Sequence, residues 1–222
     1  MNSIISQLTT AYQQQATESN RSQMIAYMKD HFDYFGIKSP QRKAAFKEIW
    51  PQIKVLERVE QWELIHALYD LPQREMHYSA LEILDRTKNQ LTPDDLPTIE
   101  RLIRKNSWWD SVDSLAPNMA GTIFMKYPET RLPWVEKWND DDFMWLKRSA
   151  IIHQLRYKKN VDLDLLFALV DDNTGTKEFF INKACGWALR EASKVYPAEV
   201  RDYVDSRPGL SNLTIREASK YL

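Results

Sequence analysis

The segment Trp145-Leu146-Lys147-Arg148-Ser149-Ala150 shares its pattern with two segments that follow it in the chain. Phe180-Ile181-Asn182-Lys183-Ala184-Cys185 begins 35 residues later, and Leu213-Thr214-Ile215-Arg216-Glu217-Ala218 begins 33 residues after that. Each segment has an apolar residue three positions before a base and a small residue two positions after it. Internal similarity at a nearly fixed period indicates helical units that stack on one another.

The same register extends toward the N-terminus in steps of 35 residues. It makes Lys43, Tyr78 and Asp113 equivalent to Arg148 and Lys183. We therefore predict an all-α protein, built as an α-solenoid of HEAT-like helical-hairpin repeats. Equivalent positions of stacked repeats line up along one surface, so Asp113, Arg148 and Lys183 would form a ladder. The alternative is a coincidental likeness between alternating helices.

The composition agrees with an all-α fold. Only five of the 222 residues are glycine, and good helix formers such as Ala, Leu, Glu and Lys dominate long stretches. The length suits one repeat domain, which we place at residues 1–222. No apolar run approaches the roughly 18 residues of a membrane span, and residues 1–10 do not resemble a signal peptide. We expect a cytoplasmic monomer that binds no membrane.

Composition also argues against several kinds of active site. Cys185 is the single cysteine, so an internal disulfide and a cysteine-based metal site are excluded. The four histidines have no metal-ligand spacing, and we predict neither a metal nor a cofactor. His77 and His153 are expected to have satisfied hydrogen bonds. Gly-rich phosphate loops and Gly-x-Ser-x-Gly motifs are absent, and the net charge of −1 does not by itself suggest nucleic acid.

Two kinds of chemistry lie on two faces of another predicted helix. Trp108, Val112 and Leu115 recur at helical spacing and are predicted to be core. Trp109 and Asp113 lie four residues apart on a neighbouring stripe, where an aromatic residue beside a carboxylate suits a binding site better than a core. Five further tryptophans have aliphatic neighbours at helical spacing and are predicted to pack in the core or between repeats: Trp50, Trp62, Trp134, Trp138 and Trp145.

A third predicted helix carries a basic stripe. Lys183, Trp187, Arg190 and Lys194 recur at helical spacing, on a face distinct from the apolar one. Bases that flank a tryptophan suit a polyanion, because the cations meet phosphates and the indole packs on a sugar or base. The alternative is a solvated basic face with one partly buried tryptophan.

A carboxylate near such bases has two possible explanations. Asp113 could pair with Arg148 as a structural salt bridge within the ladder. It could instead face developing positive charge, because a sugar that loses its base passes through an oxocarbenium-like state, which a carboxylate stabilises while it orients water. Tryptophan faces also attract cations. Trp109, Asp113 and Trp187 together would then select a cationic nucleoside.

At these residues the chain resembles the AlkD-like DNA alkylation repair family of bacterial DNA glycosylases. The likeness rests on Ser107-Trp108-Trp109-Asp110-Ser111-Val112-Asp113-Ser114, on residues 145–152 and 177–191, and on residues 34–43 and 70–75. It implies a HEAT-like solenoid whose concave, basic groove holds double-stranded DNA. It also implies a hydrolase of base excision repair, which removes alkylated purines such as 3-methyladenine and 7-methylguanine.

The resemblance implies roles for four residues. Asp113 would be catalytic, Trp109 and Trp187 would contact the sugar and backbone at the lesion, and Arg148 would support the site. Members of the family are thought to act without turning the base into a pocket. An N3- or N7-alkylated purine is already cationic and leaves as a neutral base, so no general acid is needed. No lysine nucleophile is needed either, and we predict a monofunctional glycosylase without strand cleavage.

The chain departs from the family pattern near its N-terminus. It has Ser39-Pro40-Gln41-Arg42-Lys43 where the family often has Thr-Pro-x-Arg-Arg, and Lys38 replaces a residue that is commonly neutral. We predict DNA contacts by two sets of residues: Lys38, Ser39 and Lys43, and also Lys183, Arg190 and Lys194. The alternative function is a non-catalytic HEAT-repeat binder of DNA structure or of a protein partner.

Overall fold

The computed structural model describes residues 2–222, which form helices joined by short connections. Over this range no extended β-strand occurs, and Asp33 and Gln73 form an isolated parallel bridge. The predicted all-α fold class is confirmed. The chain divides into two compact units, residues 1–87 and residues 88–222. A single domain over residues 1–222 and a concave basic groove stay predictions.

The described part of the first unit contains five α-helices. Each helix after the second contributes fully or almost fully buried apolar side chains, such as Phe46, Leu64 and Ile83, and Leu8 does so from the first. The helices are α1 (Asn2–Gln13), α2 (Glu18–Tyr27), α3 (Ser39–Ile53), α4 (Arg58–Tyr69) and α5 (Arg74–Thr87).

The second unit continues the pattern with shorter helices. A π-helical segment, Leu115–Ala120, joins two of them into one continuous stretch. The helices are α6 (Leu96–Arg104), α7 (Trp109–Ser114), α8 (Gly121–Lys126), α9 (Arg131–Asp140), α10 (Met144–Ile152), α11 (Leu163–Asp172), α12 (Phe179–Ser193), α13 (Pro197–Asp205) and α14 (Asn212–Ala218).

Helices one period apart pack against each other in the second unit. α10 contacts both α7 and α12, and α12 contacts α14. Hydrogen bonds join residues separated by about one period: Asn173 Nδ2 donates to Asn139 Oδ1 at 2.7 Å, and Tyr157 Oη donates to the Gly121 carbonyl at 2.9 Å. The predicted repetition is therefore confirmed within residues 88–222.

The contact between α12 and α14 depends on a glycine. A Cβ atom at Gly186 would lie 2.6 Å from the Glu217 Cβ and 2.8 Å from the Thr214 carbonyl oxygen. These distances are shorter than any normal van der Waals contact, so the two helix backbones approach too closely for a side chain here. Gly186 thus allows the last repeat to pack on the one before it.

Most of the predicted core positions of the second unit are buried, whereas Trp108 and Trp134 are half-buried. Val112 and Leu115 are fully buried, and Trp138 and Trp145 are buried as well. Trp108 is half-buried, with its ring centroid 5.6 Å from that of Trp145. These residues provide the packed support on which the candidate site is built.

The histidine prediction is correct for His77 and wrong in part for His153. His77 Nδ1 lies 3.1 Å from an Arg74 guanidinium nitrogen, and Nε2 lies 2.7 Å from the Leu71 carbonyl oxygen. His153 Nδ1 donates to the Ala150 carbonyl at 2.6 Å, but its buried Nε2 has no hydrogen-bond partner among residues 2–222. Burial lowers the pKa of His153 to about 4, because an imidazolium would lose its hydration there. The neutral ring lowers the cost of leaving Nε2 without a hydrogen bond, because no charge is buried there.

Candidate active site

An ion pair between α7 and α10 lies at the centre of the candidate site. Arg148 Nε donates to Asp113 Oδ1 at 2.7 Å, and Arg148 Nη2 donates to Asp113 Oδ2 at 2.8 Å. The arginine side chain is 3% exposed and the aspartate side chain 15%. Two parallel charge-assisted bonds fix the plane of the carboxylate, which a single bond would not do. The pairing that was one of the two explanations for Asp113 is therefore observed.

Arg148 is held on its other side by the start of α12. Its Nη1 donates to the Phe180 carbonyl at 2.6 Å. The Phe180 ring packs 4.9 Å from Trp145 and 5.3 Å from Trp108, measured between ring centroids. In this aromatic cluster, the Phe180 ring centroid also lies 5.9 Å from the Arg148 guanidinium carbon. No pattern of side chains indicates the carbonyl contact, although Phe180 occupies the apolar position of the repeat pattern.

Opposing effects act on the protonation of Asp113. Burial raises the pKa of its carboxyl above the ordinary value, and the hydrogen bonds and charge of Arg148 oppose that rise. Asp110 raises the pKa further by repulsion, while the positive charge of Lys183 lowers it. Arg148 therefore favours the ionised form of a carboxyl group that is poorly solvated. Such a carboxylate interacts strongly with positive charge, since little water screens it.

The two tryptophans assigned to the site lie on the helices that flank α10. Trp109 is the first residue of α7, and Trp187 lies in the middle of α12; both are half-buried. Each tryptophan is therefore partly exposed and lies on a helix that contacts α10. An accessible aromatic face attracts cations and packs on sugars.

The bases of the α12 stripe differ in how they are paired. Arg190 donates to Glu217 at 2.7 Å, and Lys194 donates to both carboxylate oxygens of Glu191 at 2.7 and 2.8 Å. Lys183 is exposed, and its Nζ lies 5.5 Å from the Phe179 ring centroid. The stripe is thus less positive than its bases alone indicate. Glu191 and Lys194 lie three residues apart on one helix, so their pairing can be inferred from the sequence. The contact of Arg190 with Glu217 on α14 can be seen only in the folded structure.

Sequence comparison assigns the chain to a family. The sequence model of the family described as DNA alkylation repair enzyme matches residues 8–222. The chain belongs to this DNA alkylation repair family. The resemblance inferred from the motifs is therefore confirmed.

Solved structures support the same assignment. The structure described as "Predicted DNA alkylation repair enzyme from Enterococcus faecalis" is 29% identical, with a TM-score of 0.87 over 94% of this chain and 97% of that one. The protein smu.31 from Streptococcus mutans UA159 is 17% identical, with a TM-score of 0.62 over 90% of this chain and 98% of that one. AlkD2 from Streptococcus mutans is 17% identical, with the same score over 81% and 89%. The last two show a shared fold, and a search of curated proteins found no significant match.

The other predicted DNA contacts of this DNA alkylation repair family member lie in the first unit. Lys38, Ser39 and Lys43 are all exposed, and they occupy the residue before α3 and its first two turns. The first amides of a helix have no partner within it, so they are available to an anion. The structure thus leaves both the side chains and the helix end accessible.

A buried carboxylate holds the loop that leads into α3. Glu75 is 1% exposed, and it accepts backbone N–H groups from Phe35 at 3.0 Å, Gly36 at 2.9 Å and Ile37 at 3.3 Å. Gly36 has φ +99°, and a Cβ there would lie 2.4 Å from the Thr17 carbonyl oxygen. The two family motifs of the first unit, residues 34–43 and 70–75, therefore contact each other. The sequence placed Glu75 in a motif without revealing this role.

Two searches bear on metals and membranes. Among residues 2–222, no group of three or more His, Cys, Asp or Glu side chains is placed to hold a metal ion. Within the same range, no helix is both long enough and apolar enough to cross a membrane.

Proposed function

We propose that this protein is a monofunctional DNA glycosylase that hydrolyses the N-glycosidic bond of cationic alkylated purines in double-stranded DNA. 3-Methyladenine and 7-methylguanine are the expected products. The proposal depends mainly on one observation: Asp113 is a nearly buried carboxylate whose orientation is fixed by two bonds from Arg148. Membership of the DNA alkylation repair family supports it.

Asp113 performs the chemical step in this proposal. As the C1′–N bond breaks, positive charge develops on the sugar, and a fixed carboxylate stabilises that charge more than it stabilises the ground state. The carboxylate also accepts a hydrogen bond from the attacking water, and the proton that this water loses on forming the C1′–O bond passes to the carboxylate or to solvent. The departing purine takes the bonding electrons and becomes neutral, so no acid has to protonate it.

Arg148 and the two tryptophans prepare the site. Arg148 keeps Asp113 ionised and prevents its side chain from rotating. Trp109 and Trp187 offer accessible indole faces to the cationic nucleoside and its sugar. A cation beside an indole gains about 0.5–2 kcal/mol, depending on desolvation. These contacts favour a charged lesion over a normal, neutral nucleoside.

Basic residues of both units contact the DNA backbone in this proposal. Lys38, Ser39 and Lys43 bind phosphate at the start of α3, and Lys183 binds it beside the site. Arg190 and Lys194 contribute after exchanging their carboxylate partners for phosphate. The protein acts as a monomer, since one chain supplies the whole candidate site.

The test is the release of free 7-methylguanine from methylated duplex DNA. We expect Asp113→Asn to lower the single-turnover rate by about 100-fold or more, as is typical when a main electrostatic contact is lost. Asp171→Asn is the matched control, because Asp171 is also ion-paired, with Arg207, but lies on α11. Equal rates for Asp113→Asn and the wild type would refute the mechanism. Strand breaks without alkali or heat would refute monofunctional action.

A second candidate function follows from the ion pair itself. A bidentate Arg148–Asp113 contact also serves as a structural bridge between α7 and α10, which leaves a non-catalytic binder of DNA structure as the alternative. That protein would bind methylated duplex and release no base. A protein-binding module would instead show DNA affinity that barely changes between low and moderate salt.

A further inference from the structure

Phe179 is an exposed aromatic residue beside the candidate site. It begins α12, and 53% of its surface is exposed to solvent, although the next residue, Phe180, packs in the aromatic cluster. Single exposed apolar side chains are common on protein surfaces, so it is the position of Phe179 next to the candidate site, and not its exposure alone, that suggests a ligand contact.

Two short chains of contacts connect Phe179 to Asp113. The Phe179 ring lies 5.3 Å from the Phe180 ring, and the Phe180 carbonyl binds Arg148, which binds Asp113. On the solvent side, Lys183 Nζ lies 5.5 Å from the Phe179 ring, and the charge of Lys183 lowers the pKa of Asp113. Phe179 is therefore adjacent to the residues that hold the carboxylate.

Phe179 also extends the α12 stripe. Phe179, Lys183 and Trp187 follow one another at four-residue spacing, so an aromatic ring, a base and a second aromatic ring lie along one face of the helix. Eight residues of α-helix span about 12 Å. Base pairs in duplex DNA are about 3.4 Å apart, so the two rings can reach different nucleotides.

We propose that Phe179 is a specificity-determining contact, which packs on the exposed face of a base or sugar next to the lesion and thereby favours damaged over intact duplex. Intact DNA keeps its bases stacked and offers no apolar face to the ring. A damaged or missing base weakens the stack, so an apolar side chain can replace a lost contact at low cost. The inference rests on the DNA binding in the proposed function, but not on base release.

The test compares two duplexes of identical sequence, one of which contains a tetrahydrofuran abasic analogue. Fluorescence anisotropy at one fixed salt concentration gives the Kd for wild type, Phe179→Ala, Phe179→Tyr and Leu132→Ala. Leu132 is the matched control, since it is an apolar residue of α9 with 49% exposure. Phe179 is exposed, so neither substitution should alter the melting temperature by more than a few degrees.

We expect Phe179→Ala to weaken binding of the abasic duplex by about 5-fold to 100-fold, the range for loss of one stacking aromatic residue. Its affinity for intact duplex should stay within about twofold, and Phe179→Tyr should behave as wild type. Equal losses for both duplexes, or a loss no larger than that of Leu132→Ala, would overturn the inference. Failure of wild type to release 7-methylguanine would refute the glycosylase but leave this binding difference measurable.

Discussion

Removing one partner of the central ion pair should destabilise the second unit strongly. Arg148→Met keeps a side chain of similar length but deletes both bonds to Asp113 and the bond to the Phe180 carbonyl. Both charged groups are mostly buried, with 3% and 15% exposure, so water cannot replace what is lost. Breaking a buried pair in this way typically costs about 3–5 kcal/mol of unfolding free energy.

Replacing both partners should cost much less. Asp113→Leu combined with Arg148→Met leaves two apolar side chains next to the aromatic cluster and no charge without a partner. We expect its unfolding free energy to lie within about 2 kcal/mol of wild type, above that of Arg148→Met. The double variant should nevertheless be inactive, because it lacks the carboxylate.

Urea unfolding followed by tryptophan fluorescence measures these changes. Six of the eight tryptophans belong to residues 88–222, so the signal reports mainly on the unit that contains the pair. The six are Trp108, Trp109, Trp134, Trp138, Trp145 and Trp187. A loss below about 1 kcal/mol in Arg148→Met would show that the pair is solvated, as exposed pairs are. A double variant less stable than the single one would contradict the proposed cause.

Three further changes test other contacts. Glu191→Gln should free Lys194 for phosphate, which strengthens DNA binding and makes the slope of log Kd against log salt steeper by up to about 1 in titrations at several salt concentrations. Gly186→Ala should cost about 1–3 kcal/mol in urea unfolding, because its Cβ would collide with the backbone of α14. The pKa of His153 is lowered to about 4 in the folded protein and is near 6.5 in the unfolded chain. The buried neutral imidazole therefore contributes to the unfolding free energy above pH 6.5, and this contribution is lost as the pH falls toward 4. Between these pH values, the unfolding free energy of His153→Phe should therefore fall by about 3 kcal/mol less than that of the wild type, as measured by urea unfolding.

The repeat register predicted the central contact because stacked repeats place equivalent positions side by side. A spacing of 35 residues relates Asp113 to Arg148 in the sequence, and the structure joins them by two hydrogen bonds. The same reasoning placed Val112 and Leu115 in the core, since the period of an α-helix fixes which face is buried. Both inferences depend only on periodic geometry.

Contacts that involve backbone atoms or distant helices could not be predicted in this way. The Phe180 carbonyl that binds Arg148 and the three amides that bind Glu75 have no side-chain signature. The partner of Arg190 is Glu217, on a helix that packs closely only because Gly186 lacks a side chain. The sequence therefore identified the bases of the stripe but not how far their charge is neutralised.

Asp113 is already paired with the positive charge of Arg148, yet the proposed mechanism requires its carboxylate to interact with a second cation. Each carboxylate oxygen accepts one bond from Arg148, and each has a second lone pair. The side chain is 15% exposed, so part of the carboxylate can be reached by a water or by a sugar. Burial raises the pKa of the Asp113 carboxyl, and the hydrogen bonds and charge of Arg148 oppose that rise. In the proposed mechanism, the carboxylate gains a second cationic neighbour when positive charge develops on the sugar, without having to move or shed water. Arg148 would then be a positioning residue that makes Asp113 available, and Lys in its place would supply the charge without the second bond that fixes the carboxylate plane.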